Sequence, residues 1–276
     1  TVESPYLICA SIMSKKLAEG IDALVLDVKT GSGAFMKEPK DAEFLAELMV
    51  ETGERMGKRI VALITSMDEP LGRAVGNALE VEECIALMKG DRKGSEDLYD
   101  LTMDLAAWMF YLGGRTRTVE EGRALAEELM ANGAALAKFR ELVAAQGGNP
   151  AICDDASLLP KAKYTVELAA ESDGYLQTVD CHGVGVAGVV LGGGRFTKED
   201  VVNPAVGLLL HKRVGDNVVR GESLCTIHYD DEARMTEARG ILRAAYQIGA
   251  QAPAAKAPLV RKILQGKPAK SGAHSL

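Results

Sequence analysis

Apolar and polar positions along the first residues follow a helical spacing. Ile8, Ser11, Ile12 and Lys15 recur at the interval of one helix face. A core face would not carry Ser and Lys, and a fully solvated face would not carry two isoleucines. The pattern therefore predicts a helix over residues 5–17 with one mixed face.

A strand and a glycine loop are predicted after this helix. Residues 23–28 form a continuous apolar run, typical of a strand buried on both faces. The run is broken at 30–33, and Pro39 with Asp41 marks the next helix start. Open parallel sheets bind ligands at such carboxyl-end loops. The glycines allow either a close ligand approach or simply a tight turn, and both interpretations stay open.

The spacing of apolar residues changes near residue 150, from the helical period of 3.6 to the strand period of 2. A second buried strand is predicted at 59–64, and helices at 41–56, 79–88, 98–112, 119–132 and 134–146. A polar connection at 147–160 marks a boundary. Short strands then follow at 164–168, 174–179, 185–191, 206–210 and 224–228. The turn-rich stretch 207–222 resembles the small barrels of lipoyl and biotinyl carriers in architecture only.

The mixed helix face carries candidate chemistry. Ser11 offers one donor and two acceptor lone pairs, and Lys15 offers three donors with a compact charge. Together they could hold the edge of an imide ring, with Ile8 and Ile12 packed on the ring face. The alternative is structural, with Ser11 bonded to its own helix backbone and Lys15 lying along a surface.

Composition narrows the class of protein. The formal net charge of −7 argues against a nucleic-acid surface, which needs a basic stripe. No apolar run approaches the length of a membrane span, and the first residues lack the features of a signal peptide, so a cytoplasmic location is expected. The five cysteines show no CxxC spacing and are expected to be reduced thiols. Cys181 and His182 are adjacent, but neighbours on a strand point to opposite faces.

Several separate stretches resemble one known family, in the right order. They are residues 2–37, 67–83, 143–148 and 191–195. The chain resembles the nucleoside phosphorylases that include thymidine phosphorylase and pyrimidine-nucleoside phosphorylase, and is most similar to the bacterial enzymes of broad specificity. The likeness extends over nearly the whole chain, to about residue 262.

The resemblance implies reversible phosphorolysis. Inorganic phosphate, the co-substrate, would attack the anomeric carbon of uridine, thymidine or deoxyuridine, which gives the free base and (deoxy)ribose 1-phosphate, with no organic cofactor. Ser11 and Lys15 match the residues that bind the pyrimidine. The apolar lining of the base pocket matches Val2, Ile8, Ile12 and Phe35. A fixed ammonium at the carbonyl of the base would stabilise the negative charge that grows as the glycosidic bond breaks.

A monovalent cation is also implied by the resemblance. The matching positions are the carbonyls of Leu71 and Ala74 and the carboxylate of Glu83. Oxygen ligands of this kind suit a hard cation such as potassium. From the sequence alone, Glu83 belongs to a helical run whose carboxylates are usually solvated.

The expected fold class is α/β plus α+β. By resemblance, residues 1–19 are the end of a helical domain and its hinge, a remnant of that domain. Residues 20–150 form a mixed α/β sheet domain, and 151–276 form a small barrel-like β subdomain with a helix. Family members are homodimers. Their N-terminal third, which holds a base-binding Arg and the phosphate-binding residues, has no counterpart in this sequence.

Three functions follow as expectations. The first is pyrimidine-nucleoside phosphorolysis, with this chain an incomplete form that is inactive alone and whose dimerisation and metal binding are open. The second is a phosphorylase of nucleoside monophosphates. The third is a non-catalytic fragment or partner module that keeps the fold without the phosphate site.

Overall fold

A computed structural model describes residues 4–266 of the chain. Val2, predicted to line the base pocket, and the tail 267–276, predicted to be frayed, lie outside the described residues. The chain divides into two compact units. Unit 1 comprises Thr1–Met67, Asp100–Glu127 and Ala257–Leu276, and unit 2 comprises Asp68–Tyr99 and Glu128–Lys256.

Helices and strands are mixed throughout, which confirms the α/β character expected from the sequence. The helices are α1 (Pro5–Ala18), α2 (Pro39–Arg55), α3 (Asn77–Met88), α4 (Glu96–Leu112), α5 (Val119–Ala131), α6 (Ala134–Ala145), α7 (Cys181–Gly188) and α8 (Glu232–Ala245). The strands are β1 (Ala23–Thr30), β2 (Arg59–Ser66), β3 (Ala74–Val75), β4 (Tyr164–Ala169), β5 (Gly174–Val179), β6 (Gly207–Leu210), β7 (Asn217–Val218), β8 (Ser223–Tyr229), β9 (Tyr246–Gly249) and β10 (Val260–Gln265).

Unit 1 is built on the three-stranded sheet β1-β2-β10. Strands β1 and β2 are parallel, and β10 is antiparallel to β2. One face of the sheet packs against α1 and α2 in a cluster that includes Met13, Met49, Ile60 and Ile64. The other face packs Val61 and Leu63 against Leu112 of α4 and its neighbours. The core of unit 1 therefore lies on both sides of β2.

The strand predicted from the apolar run 23–28 forms, but its burial was overestimated. Val28 is buried, whereas the four residues from Ala23 to Leu26 are only half-buried and Asp27 is exposed. Within residues 4–266, β1 has a hydrogen-bonded neighbour on one side only. Strand β2, with a neighbour on each side, shows the full burial that was expected for both strands.

In unit 2, four antiparallel strands form the sheet β3-β6-β8-β4, and three form the sheet β7-β5-β9. Helices α7 and α8 contribute to one core with both sheets, which includes Val184, Leu208, Ile227 and Leu242. No closed barrel forms among the described residues of this unit.

The strand predicted at 185–191 is wrong. This stretch belongs to α7 and to the helical turn Val189–Gly193, which is interrupted at Gly192 with a φ of 104°. The Asp180 carboxylate accepts hydrogen bonds from the backbone N–H of His182 and Gly183, both at 3.1 Å, and so caps the helix. Alternating valines and glycines imitate a strand pattern, but the capped helix buries Val184 and Ala187, three residues apart.

The same correction applies to the adjacent pair Cys181 and His182. They lie at the start of α7 and not on a strand, with Cys181 buried and His182 exposed. All five cysteines are free thiols. No helix within residues 4–266 combines the length and the apolar character that crossing a membrane requires.

Gly122 sets the approach of α5 to α4. A Cβ at this position would lie 2.5 Å from the carbonyl oxygen of Ala107, far inside van der Waals contact. We expect Gly122→Ala to force the helices apart and lower the free energy of unfolding by about 1–3 kcal/mol. Denaturant titration measures this change.

Gly240 in α8 provides the matched control. It is also helical, but an added Cβ there would meet nothing within 4 Å. Gly240→Ala should therefore be neutral or stabilise by up to about 1 kcal/mol, through the lower conformational entropy of the unfolded chain. Equal losses of stability from both substitutions would contradict the backbone contact at Gly122.

Glu167 of β4 links two further positions on β8. Its carboxylate accepts a hydrogen bond from the Thr226 hydroxyl at 2.8 Å and another from the Ser223 hydroxyl, and His211 Nε2 lies 3.7 Å away. Partial burial would raise the pKa of Glu167, but these hydrogen bonds and the nearby histidines outweigh it and lower the pKa.

A lowered carboxyl pKa stabilises the fold above the unfolded pKa of about 4.3, and the contribution disappears as pH falls through the folded pKa. We therefore expect Glu167→Gln to be less stable than the unsubstituted protein at pH 5.5, with the gap narrowing between about pH 5 and pH 3. Thermal melting across this range measures the gap. A gap independent of pH would refute the assignment.

Candidate active site

Helix α1 places the predicted base-binding residues on two adjoining parts of its surface. It begins at Pro5 in the first helical turn, where the missing backbone N–H costs nothing. Cys9 and Met13 are buried, and Ile8 and Ile12 are half-buried against the same core cluster. Ser11 and Lys15 are exposed. The mixed face is thus the margin of the core, with its polar groups turned outward.

The polar groups of α1 differ in their partners. Ser14 donates to the carbonyl of Ser11 at 3.4 Å, and Lys16 pairs with Glu19 at 2.9 Å. Neither the Ser11 hydroxyl nor the Lys15 ammonium has a hydrogen-bond partner among residues 4–266. Of the structural alternative, the hydrogen bond from Ser11 to its own helix backbone does not form among the described residues, whereas Lys15 does lie at a surface.

The glycine loop after β1 is a tightly bonded turn. Gly31 has a φ of 124°, a conformation that favours glycine. Backbone hydrogen bonds run from Met67 N–H to the Thr30 carbonyl at 2.6 Å and from Gly33 N–H to the Met67 carbonyl at 2.9 Å. The loop buries Met36 and leaves Phe35 66% exposed. The tight-turn role of the glycines is observed, and a close ligand approach stays a prediction.

Helix α1 and the glycine loop are anchored in the same core cluster of unit 1. Cys9 and Met13 enter it from the helix, and Met36 enters it from the loop. Ser11, Lys15, Ile8 and Ile12 therefore share one compact unit with Phe35. Their roles toward a base remain predictions, as does that of Val2.

In unit 2, Glu83 is buried and not solvated, because α3 turns it towards the loop 70–74. It is 7% exposed. Its carboxylate accepts hydrogen bonds from the backbone N–H of Arg73 at 2.7 Å and of Ala74 at 3.2 Å, and from the Ser95 hydroxyl. The helical sequence pattern could not show this, since the donors come from a loop and from the residue before α4.

Arg213 holds the same loop from the other side. Its guanidinium donates to the carbonyls of Pro70 at 3.2 Å and Gly72 at 2.6 Å, and to that of Gly94 at 3.0 Å. It also pairs with both carboxylate oxygens of Asp97, at 2.9 and 3.1 Å. The loop that carries Leu71 and Ala74 is thus held at its N–H groups by the Glu83 carboxylate and at its carbonyls by the Arg213 guanidinium.

Gly72 lies directly against the carboxylate of Glu83. Gly72 has a φ of 66°, and a Cβ there would lie 2.7 Å from Oε2 of Glu83. A carboxylate offers about four lone-pair positions, and the donors on Glu83 occupy three. No cluster of three or more His, Cys, Asp or Glu side chains suited to a metal occurs within residues 4–266. A cation here would therefore depend on backbone carbonyls, as predicted for Leu71 and Ala74.

Comparison with known proteins matches both parts of the chain. Residues 4–136 match the α/β domain of a glycosyl transferase family. Residues 175–249 match the C-terminal domain of pyrimidine nucleoside phosphorylase. The comparison thus places the chain in a class of proteins that carry the α/β domain of a glycosyl transferase family.

Individual relatives narrow the class. The chain is 50% identical to the pyrimidine-nucleoside phosphorylase of Geobacillus stearothermophilus over 232 residues, covering 84% of this chain and 53% of the relative. It is 49% identical to that of Staphylococcus aureus strain USA300 over 228 residues, covering 83% and 52% respectively. The chain belongs to the pyrimidine-nucleoside phosphorylase family. It spans about half the length of the curated relatives it matches.

Proposed function

We propose that the protein takes part in phosphorolysis of pyrimidine nucleosides, with this chain supplying the groups that hold the base. The single observation that carries the proposal is on α1. The Ser11 hydroxyl and the Lys15 ammonium are one helical turn apart, exposed and without partners among the described residues. Half-buried Ile8 and Ile12 lie beside them. Family membership gives this constellation its substrate class.

The chemistry of the two groups fits the reaction. Phosphate attacks the anomeric carbon, the glycosidic bond breaks, and its electron pair leaves with the base. Lys15 would donate to a carbonyl oxygen of the base as negative charge develops there, and Ser11 would hold the neighbouring imide N–H or carbonyl. An interaction that is stronger in the transition state than in the ground state accelerates the step.

The test uses matched pairs on one helix. In the full-length gene product, Ser11→Ala and Lys15→Ala should each lower kcat/KM for uridine and thymidine by about 10²–10³, as for loss of one oxyanion donor. Ser14→Ala and Lys16→Ala, whose polar groups are bonded within α1 or to Glu19, should retain the unsubstituted value. Spectrophotometric assay of base release in phosphate buffer measures all four.

The outcomes separate the alternative functions. Unchanged kinetics in both Ser11→Ala and Lys15→Ala would remove the base-binding role. Turnover of nucleoside monophosphates but not of nucleosides would establish the second expected function. Calorimetric titration with uracil and with phosphate addresses the third, since a non-catalytic partner module would bind neither.

We further propose that potassium binds through the carbonyls of Leu71 and Ala74 and the carboxylate of Glu83. The lone-pair position that the three donors leave unused on Glu83 supports this set. The cation would supply a positive charge that neutralises the buried carboxylate and stiffens the loop 70–74. It takes no part in the bond changes of the proposed reaction.

Melting temperature tests the cation site. The full-length gene product should melt higher in potassium chloride than in choline chloride of equal ionic strength, by about 2–4 °C for each kcal/mol of binding energy. Glu83→Gln, which removes the charge but little volume, should melt at one temperature in both salts. Equal melting of the unsubstituted protein in both salts would refute potassium binding.

The proposal extends to the organisation of the protein. By resemblance to its family it includes a homodimer and a cytoplasmic location. It also includes the finer division into the end of a helical domain, an α/β domain and a barrel-like C-terminal subdomain. The match of residues 175–249 to a C-terminal family domain supports a separate C-terminal subdomain.

A further inference from the structure

Three polar side chains form a closed ring on the sheet of unit 1, apart from the groups on α1. Lys29 Nζ lies 2.7 Å from Asp27 Oδ2 and donates to the Thr65 hydroxyl at 3.0 Å. The Thr65 hydroxyl donates to the other oxygen of Asp27. Each side chain is therefore fixed by the other two.

The ring lies where an apolar sheet face becomes polar. Lys29 is opposite Thr65 in the parallel register of β1 and β2. Earlier positions on the same face are apolar and pack in the cluster with α4: Ala23, Val25, Val61 and Leu63. Thr65 is fully buried, whereas the side chains of Asp27 and Lys29 are 25% and 28% exposed. The ring thus extends from the core to solvent at the carboxyl ends of parallel strands, where α/β sheets bind ligands.

Stability alone does not explain these side chains. An ion pair taken partly out of water loses hydration that its mutual attraction only partly returns, and apolar residues often replace such pairs without loss. The nearest positions that precede the ring on this face, Val25, Val61 and Leu63, are apolar, so apolar residues at 27 and 29 would continue the packing. Binding of a polar ligand would account for a charged pair at these two positions.

The donors and acceptors in the ring indicate the ligand. Lys29 has three donors, and the ring uses two of them. Asp27 keeps lone pairs on both oxygens. A hydroxyl can accept from the ammonium and donate to the carboxylate at once, whereas a phosphate dianion would be repelled by Asp27. The pair therefore suits a sugar hydroxyl better than an anion.

We infer that Asp27 and Lys29 bind the 3′-hydroxyl of the pentose in the substrate. The inference rests on the proposed function and names a further substrate-binding contact for it. Uridine, thymidine and nucleoside 5′-monophosphates all carry a 3′-hydroxyl. The same contact could therefore bind the substrates of both phosphorylase functions expected from the sequence.

Substrate analogues test the contact directly. In the full-length gene product, kcat/KM for uridine should exceed that for 3′-deoxyuridine by about tenfold or more, since an unmet polar pair penalises the analogue. Lys29→Met and Asp27→Asn should each bring this ratio towards one, mainly by lowering the value for uridine. A general loss of structure would lower kcat/KM for uridine and for 3′-deoxyuridine by the same factor and leave their ratio unchanged.

Lys262 of β10 provides the control in the same sheet, because its ammonium pairs with Glu43 at 2.6 Å on the surface. Lys262→Met should keep the unsubstituted ratio. The inference is overturned if Lys29→Met and Asp27→Asn leave the ratio unchanged, or if they raise only the KM for phosphate. If the unsubstituted protein cleaves no nucleoside, the proposed function fails, and this contact fails with it.

Discussion

Unit 1 depends on the burial of one strand. From Ile60 to Thr65, every residue of β2 is at most 1% exposed. A strand so deeply buried needs a partner for each backbone N–H and C=O, because an unpaired buried group is costly. Strand β1 supplies these partners on one edge in parallel register, and β10 supplies them on the other in antiparallel register.

Both candidate substrate contacts in unit 1 follow from this arrangement. On one face, β2 packs with α1, whose outer margin presents Ser11 and Lys15. On the other face, the register with β1 brings Lys29 opposite Thr65 and completes the ring with Asp27. The buried strand β2 thus decides the positions of both sets of side chains.

In unit 2, side chains rather than neighbouring strands hold the loop 70–74, because this loop has almost no regular structure. The loop must satisfy its backbone groups with side chains. Glu83 accepts from its N–H groups, and Arg213 donates to its carbonyls. Asp97 in turn binds both terminal nitrogens of the Arg213 guanidinium, which fixes the direction of its remaining donors. A carboxylate that would otherwise be exposed on α3 thereby becomes a buried structural group.

Sequence reasoning succeeded where the determinants are local. The helix of Ile8 and Ile12, the strands β1 and β2, and the start of α2 at Pro39 all follow from spacing and from proline near a helix start. It failed at 185–191, where valines and glycines alternate as in a strand, because a single carboxylate at Asp180 starts a helix there.

The sequence by itself determined the family, the helical face with Ser11 and Lys15, and the polarity of each element, since these depend on residue order and spacing. Only the tertiary structure decided which polar groups keep partners and which stay open. It left Ser11 and Lys15 unpaired among the described residues, buried Glu83, and joined Asp27 and Lys29 to Thr65. Contacts between residues far apart in the chain arise from packing and register, which no local pattern records.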